Sequence, residues 1–111
     1  MINLTDLDEC EISLPGDWVR QDNHDTWSFT PGNMEMKEQR LYRRLDIRHP
    51  AGGPVETHRY AFAIKDDYCA VLVDTDEFII RQLVKNGNGP AFMEWEDKAG
   101  VRIRFERPAG A

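Results

Sequence analysis

The sequence predicts an all-β chain folded as a single antiparallel up-and-down barrel of about eight strands. Three observations predict it. Apolar and polar residues alternate with period two over short segments, the pattern of half-buried antiparallel strands. Turn residues punctuate the chain regularly, at Pro15-Gly16, Pro31-Gly32-Asn33, Pro50 to Pro54, Lys65-Asp66-Asp67, Asp74-Thr75-Asp76, Asn86 to Pro90 and Asp97 to Gly100. Every connection is short, so neighbours in sequence become neighbours in space. An open sheet of eight such strands would leave two edges, and closure into a barrel removes them.

In chain order, Thr5-Asp6-Leu7-Asp8 has the spacing of a capping box and predicts at most a short N-terminal helical turn. Strands are predicted over 17–21, 24–30, 34–48, 55–64, 68–73, 77–84, 91–96 and 101–107. Trp27 and Phe29 share one face of the second strand. His58, Tyr60, Phe62 and Ile64 share one face of the fourth, and Met93 and Trp95 one face of the seventh. Val101, Ile103 and Phe105 alternate with Arg102, Arg104 and Glu106. Residues 34–48 carry conflicting signals. Their Glu, Lys, Gln, Arg and Leu content favours helix, whereas Leu41, Arg43, Leu45 and Ile47 on one face favour strand. The flanking turns suit a hairpin series, so one long strand is expected there.

The 111 residues allow one domain, 1–111, large enough to bury a core without a metal or disulfide. A net charge of −6 argues against sequence-blind nucleic-acid binding. A mean hydropathy of −0.62 and the lack of any apolar run near ~20 residues argue against a membrane-spanning helix. No basic segment followed by an apolar stretch opens the chain, and the expected location is cytoplasmic. Cys10 and Cys69 form no CxxC and are expected to be free and buried. Residues 1–35 hold eight acids and one base. That acidic third is either a solvated surface or a docking patch for a basic protein partner.

Gly16-Asp17-Trp18 at the start of the first strand resembles the Gly-x-Trp signature of lipocalin-like (calycin) barrels, and Arg107 matches the arginine that ends that family's last strand. Thr75-Asp76-Glu77-Phe78 is similar to the family's Thr-Asp-Tyr motif, with Glu77 intruding and the match one strand early. The resemblance spans Gly16 to Arg107. The chain is shorter than typical secreted lipocalins. The resemblance implies a barrel that binds a small apolar molecule, or one that has lost that role.

Candidate chemistry is sparse. The three imidazoles, His24, His49 and His58, form no i, i+2 or i, i+4 pair, so no local metal clamp is written and no metal or cofactor is expected. Neither serine nor cysteine has a nucleophile signature, and no catalytic residue is assigned. Gly52-Gly53 and Asn86 to Gly89 precede strands, so they lack the helix N-terminus that cradles phosphate. The acids at turn tips are solvated and lack the burial that raised-pKa chemistry needs. Lys37, Arg40, Arg43, Arg44 and Arg48 form a basic strip, either an anion site or a ladder with acids of neighbouring strands such as Glu56. The preferred reading is non-enzymatic binding of an apolar or amphipathic ligand inside the barrel, against Trp27, Phe29, His58, Tyr60, Phe62 and Trp95. The alternatives are a cytoplasmic interaction module of immunity or inhibitor type, and a small barrel isomerase or cyclase using His58 or Tyr60. Trp18 and Arg107 are expected to stack at the closed end, because the first and last strands of such a barrel are adjacent and a Trp face compensates a desolvated guanidinium.

Overall fold

A computed structural model describes residues 10, 13–30, 35–37, 40–65, 68–84 and 91–108. They form nine strands: β1 (Gly16–Arg20), β2 (Thr26–Phe29), β3 (Glu35–Lys37), β4 (Arg40–Arg48), β5 (Glu56–Lys65), β6 (Tyr68–Val73), β7 (Asp76–Val84), β8 (Phe92–Glu96) and β9 (Arg102–Glu106). All pairings are antiparallel between chain neighbours, save two that close the ring. β1 meets β9 through Val19 opposite Glu106 and Arg20 opposite Phe105. β2 meets β4 through Thr26 opposite Arg48 to Phe29 opposite Leu45. Eight strands thus make a closed up-and-down barrel, and β3 lies outside the ring, paired to the start of β4.

β3 corrects one expectation. The predicted long strand 34–48 is two strands that fold back on each other, with Glu35 opposite Tyr42 and Lys37 opposite Arg40. No Gly, Pro, Asn or Asp marks the reversal between Lys37 and Arg40, so the usual turn chemistry is missing. The other strands start and stop within about two residues of expectation, the ordinary scatter of strand ends. The predicted turn at Thr5 to Asp8 lies outside the described residues.

Side-chain alternation builds the core. Trp18, Trp27, Phe29, Leu45, Ile47, Tyr60, Cys69, Val71, Val73, Ile80, Leu83, Met93, Trp95, Ile103 and Phe105 are buried in one cluster. β7 owes its apolar run to a bulge: the register shifts between Ile80 and Gln82, so Ile80 and Leu83 are both buried while Arg81 stays exposed. The outer face of β7, β8 and β9 carries a charge ladder. Arg81 and Arg102 reach Glu96 at 2.9 and 3.1 Å, and Arg104 reaches Glu106 at 2.9 Å. Such exposed pairs hold register and solubility more than they add stability.

The barrel has two unlike ends. Segments 21–25, 49–55, 74–75 and 97–101 join strands at one end, called the mouth below. Gly16 and Arg107 lie at the other, where Cys10 and Leu14 are fully buried against the core. There the Leu14 N–H donates to the Cys10 carbonyl at 3.1 Å, a bond of helical spacing. The Trp18 indole N–H donates to the Leu14 carbonyl at 2.8 Å, fixing this segment over the closed end. Cys10 and Cys69 are both buried thiols.

Candidate functional site at the barrel mouth

The aromatic residues of the predicted ligand site come together as a packed cluster. Trp27 meets Trp95 edge-on at 5.8 Å, Phe29 meets Tyr60 at 5.1 Å, and Phe29 meets Trp95 at 5.9 Å. Phe105, not among the predicted site residues, lies 5.0 Å from Trp27 and 4.9 Å from Trp95. These are the spacings of rings in mutual contact. The Tyr60 hydroxyl donates to the Thr30 carbonyl at 3.1 Å, which satisfies its polar end. Phe62 is partly buried at the side of the cluster, 5.8 Å from Tyr60. A polar group is left over: Trp27 Nε1 is buried with no hydrogen-bond partner among the described residues.

Above this cluster the mouth holds a chain of imidazoles and carboxylates. His58 sits on the core side of β5, opposite Leu45 in register. Its Nδ1 lies 2.6 Å from Asp74 Oδ2 and its Nε2 3.3 Å from Glu56 Oε1. Glu56 is opposite Ile47, and its other oxygen meets His49 Nε2. His49 Nδ1 lies 2.9 Å from Asp25 Oδ1. Local backbone geometry delivers each member. Asp74 adopts the left-handed region, φ 54°, in the two-residue β6–β7 turn, and its other oxygen accepts the Arg59 N–H at 3.1 Å. The Asp25 N–H donates to Asn23 Oδ1 at 2.9 Å in the β1–β2 loop.

Charge sets the protonation of this chain. Hydrogen bonds to Asp25 and then to Glu56 raise His49 above its ordinary 6.5. Asp74 raises His58 likewise, against the opposing effect of burial, with Glu56 adding to it. The two histidines hold Glu56 below its ordinary 4.5. Burial pushes Asp74 up, but the bonds from His58 and the Arg59 N–H bring it below 3.8.

Sequence reasoning singled out His58 and missed the chain around it. His49 and His58 are nine positions apart, and only the β4–β5 pairing brings them to one carboxylate. Among the described residues, no group of three or more His, Cys, Asp or Glu side chains is arranged to hold a metal ion.

A cavity of about 300 Å³ opens beside the β6–β7 and β8–β9 turns, lined by Asp76, Glu77, Phe78, Asp97, Lys98 and Ala99. Phe78 forms its apolar part and packs on Trp95 at 5.4 Å. Asp97 Oδ1 accepts the N–H groups of Ala99 and Val101, both at 2.9 Å, which shapes the turn.

The basic strip divides. Arg44 pairs with Asp46 at 2.9 Å, Arg48 reaches Asp17 at 3.4 Å, and Arg43 lies opposite Tyr60 in register. The ladder therefore uses Asp46 and Asp17, while Glu56, the acid expected there, faces the histidines. The side chains of Lys37 and Arg40 lie outside the described residues. The acidic N-terminal third is also engaged internally where it is described: Asp17 with Ser28 and Arg48, Asp22 with Arg20, and Asp25 with His49.

At the far end, the Arg107 guanidinium lies 3.9 Å from the Trp18 ring. Its Nη1 donates to the Asp17 carbonyl at 3.0 Å, and its Nη2 to the carbonyls of Ser13 and Pro15 at 3.1 and 3.0 Å. No helix among the described residues is long and apolar enough to cross a membrane. Comparison of the chain with protein-family models, with curated proteins and with solved structures finds no match.

Proposed function

We propose that the chain is a small-molecule-binding barrel, lipocalin-like in plan, that takes an amphipathic ligand at its mouth. The observation that carries this reading is the cavity of about 300 Å³ whose apolar wall is Phe78, itself seated on Trp95. That volume is at the lower end of ligand sites, which combine apolar walls with a few polar groups. The ligand's apolar part rests on Phe78, and its polar part faces Asp76 and Lys98 at the rim. Trp27, Phe29 and Tyr60 are the floor beneath the site: a ligand touching all three would have to separate rings already in contact. The interaction-module reading draws less support, because the described acids of the N-terminal third are engaged within the chain.

The test is a fluorescence titration with 1-aminoanthracene, a neutral apolar probe. The wild-type chain should bind it saturably at one site and lose tryptophan emission as it does, since Trp95 lies against Phe78. Phe78→Arg should weaken binding by an order of magnitude or more, about 1.4 kcal/mol, whereas Trp27→Phe should leave it unchanged. Absence of saturable binding, or equal binding by Phe78→Arg, would sink the proposal.

A further inference from the structure

Two histidines tie four segments of the mouth together. The chain runs from Asp25 in the β1–β2 loop to His49 at the end of β4, then to Glu56 and His58 on β5, and on to Asp74 in the β6–β7 turn. We propose that this chain is a proton-operated strap: it holds the mouth loops together while both imidazoles are protonated, and releases them when the protons leave.

Each of the four ring nitrogens of His49 and His58 faces a carboxylate oxygen. An ionised carboxylate only accepts, so four N–H donors are needed. An imidazolium supplies two, and a neutral imidazole supplies one. Loss of a proton from either ring therefore cuts the chain at one contact and leaves a nitrogen lone pair facing oxygen lone pairs. For His58 the contact to break is the 3.3 Å one to Glu56, because the 2.6 Å bond to Asp74 is the better donor site. His49 and Glu56 also flank segment 50–55, which carries Gly52 and Gly53 at φ 87° and 97° and is exposed throughout. Its Gly52 N–H donates to the His49 carbonyl at 3.0 Å. Loss of a proton from His49 opens its contact with Asp25 or its contact with Glu56, and the second of these is the side-chain tie across the base of this loop.

The charged groups facing the pair are Asp25 and Glu56 on His49, Glu56 and Asp74 on His58, and Arg59, whose charge acts on Asp74. The sign follows. Both histidines are raised above 6.5, so their contribution is complete below that value and fades as pH climbs through the raised values. Glu56 and Asp74 are lowered from 4.5 and 3.8, so theirs is complete above those values and fades as pH falls through the lowered ones. The strap is tightest between about 4.5 and 6.5. It requires no ligand and stands apart from the binding reading.

Imidazole ¹⁵N spectra of the full chain, recorded from about pH 5 to 9, test the strap by reporting the protonation state of each ring. Both rings should remain imidazolium above about 6.5, and the Gly52 and Gly53 amide resonances should move with the same midpoints. Rings that titrate at or below that value, or loop resonances that ignore the titration, would overturn the proposal. Urea unfolding gives an independent arm. The wild-type midpoint should fall between about pH 6 and 8.5, and in the His49→Gln/His58→Gln double variant that fall should vanish. An undiminished fall in the double variant counts against the strap. Should that variant not fold, the wild-type spectra still decide.

Discussion

Arg107 stacks on Trp18 across the seam where the first and last strands meet, with 3.9 Å between guanidinium and ring. The pair does more than close the seam. Three guanidinium N–H bonds go to the carbonyls of Ser13, Pro15 and Asp17, all in or beside the segment that leads into β1. Trp18 in turn holds Leu14 through its indole N–H. One cation and one indole thus fasten the chain before β1 over the barrel's closed end. Burial lowers the Arg107 pKa from its ordinary value, with the Asp17 charge opposing, and the group stays charged at neutral pH.

The two residues should be coupled in stability. Arg107→Ala should cost about 2–4 kcal/mol, from lost charge-assisted bonds plus the ring contact. The double variant with Trp18→Ala should cost less than the two singles together, by about 1–2 kcal/mol. Arg107→Lys should recover only part of the loss, since an ammonium cannot match the planar fork. Urea unfolding of the four chains measures this. Simple additivity would mean that the stack contributes nothing of its own.

Gly16 belongs to the same assembly. Its φ is 110°, and a Cβ there would lie 2.7 Å from Arg107 Nη1. Gly16→Ala must strain the backbone and displace the guanidinium together, so about 1–3 kcal/mol should be lost. If the displaced guanidinium is the larger part, Gly16→Ala made in the Arg107→Ala background should cost clearly less. Equal costs in both backgrounds would assign the whole loss to backbone strain.

Trp27 and Trp18 are both buried indoles, and they should answer differently to the same change. The Trp18 N–H is bonded to Leu14, whereas the Trp27 N–H has no partner among the described residues. Trp27→Phe removes an unsatisfied donor along with some ring volume, and should cost about 1 kcal/mol or less. Trp18→Phe loses a buried hydrogen bond and the better cation–π surface, and should cost about 2–3 kcal/mol. A larger loss at Trp27 than at Trp18, read by thermal unfolding, would show that an acceptor for the Trp27 N–H has gone unseen.

Period-two alternation made the barrel legible, because one buried face per strand identifies the strand and the residues that turn to the core. The contact of Trp18 with Arg107 was legible as well, since parity turns Arg107 toward the core side and closure brings it to Trp18, but the close approach of Gly16 to Arg107 was not. The β3–β4 hairpin was not, because Lys37 to Arg40 contains none of the residues that normally announce a reversal. Nor was the mouth chain. Asp25, His49 and Asp74 each read as an ordinary polar residue beside a turn, and Glu56 as a ladder partner of the basic strip. Their meeting depends on the exact registers of three strand pairings, β2 with β4, β4 with β5 and β5 with β6, which alternation alone does not specify.

Within that chain the three carboxylates should be separable by their effect on the two rings. Asp25 is the largest influence on His49, and Asp74 is the largest on His58. Glu56 touches both but ranks behind each, although its contact with His49 is the closer one. At His49 the Asp25 side chain is 13% exposed and that of Glu56 49%, so water screens Glu56 more strongly, whereas at His58 the two acids are equally exposed and Asp74 is nearer, 2.6 Å against 3.3 Å. Asp25→Asn should therefore lower the His49 titration midpoint and leave that of His58 nearly in place. Asp74→Asn should do the reverse. Glu56→Gln should lower both midpoints by a smaller amount, because one carboxylate remains on each ring. The imidazole titrations that test the strap measure all three. If Asp25→Asn moved both midpoints equally, the two histidines would be responding to the general acidity of the mouth, and the specific chain from Asp25 to Asp74 would have to be abandoned.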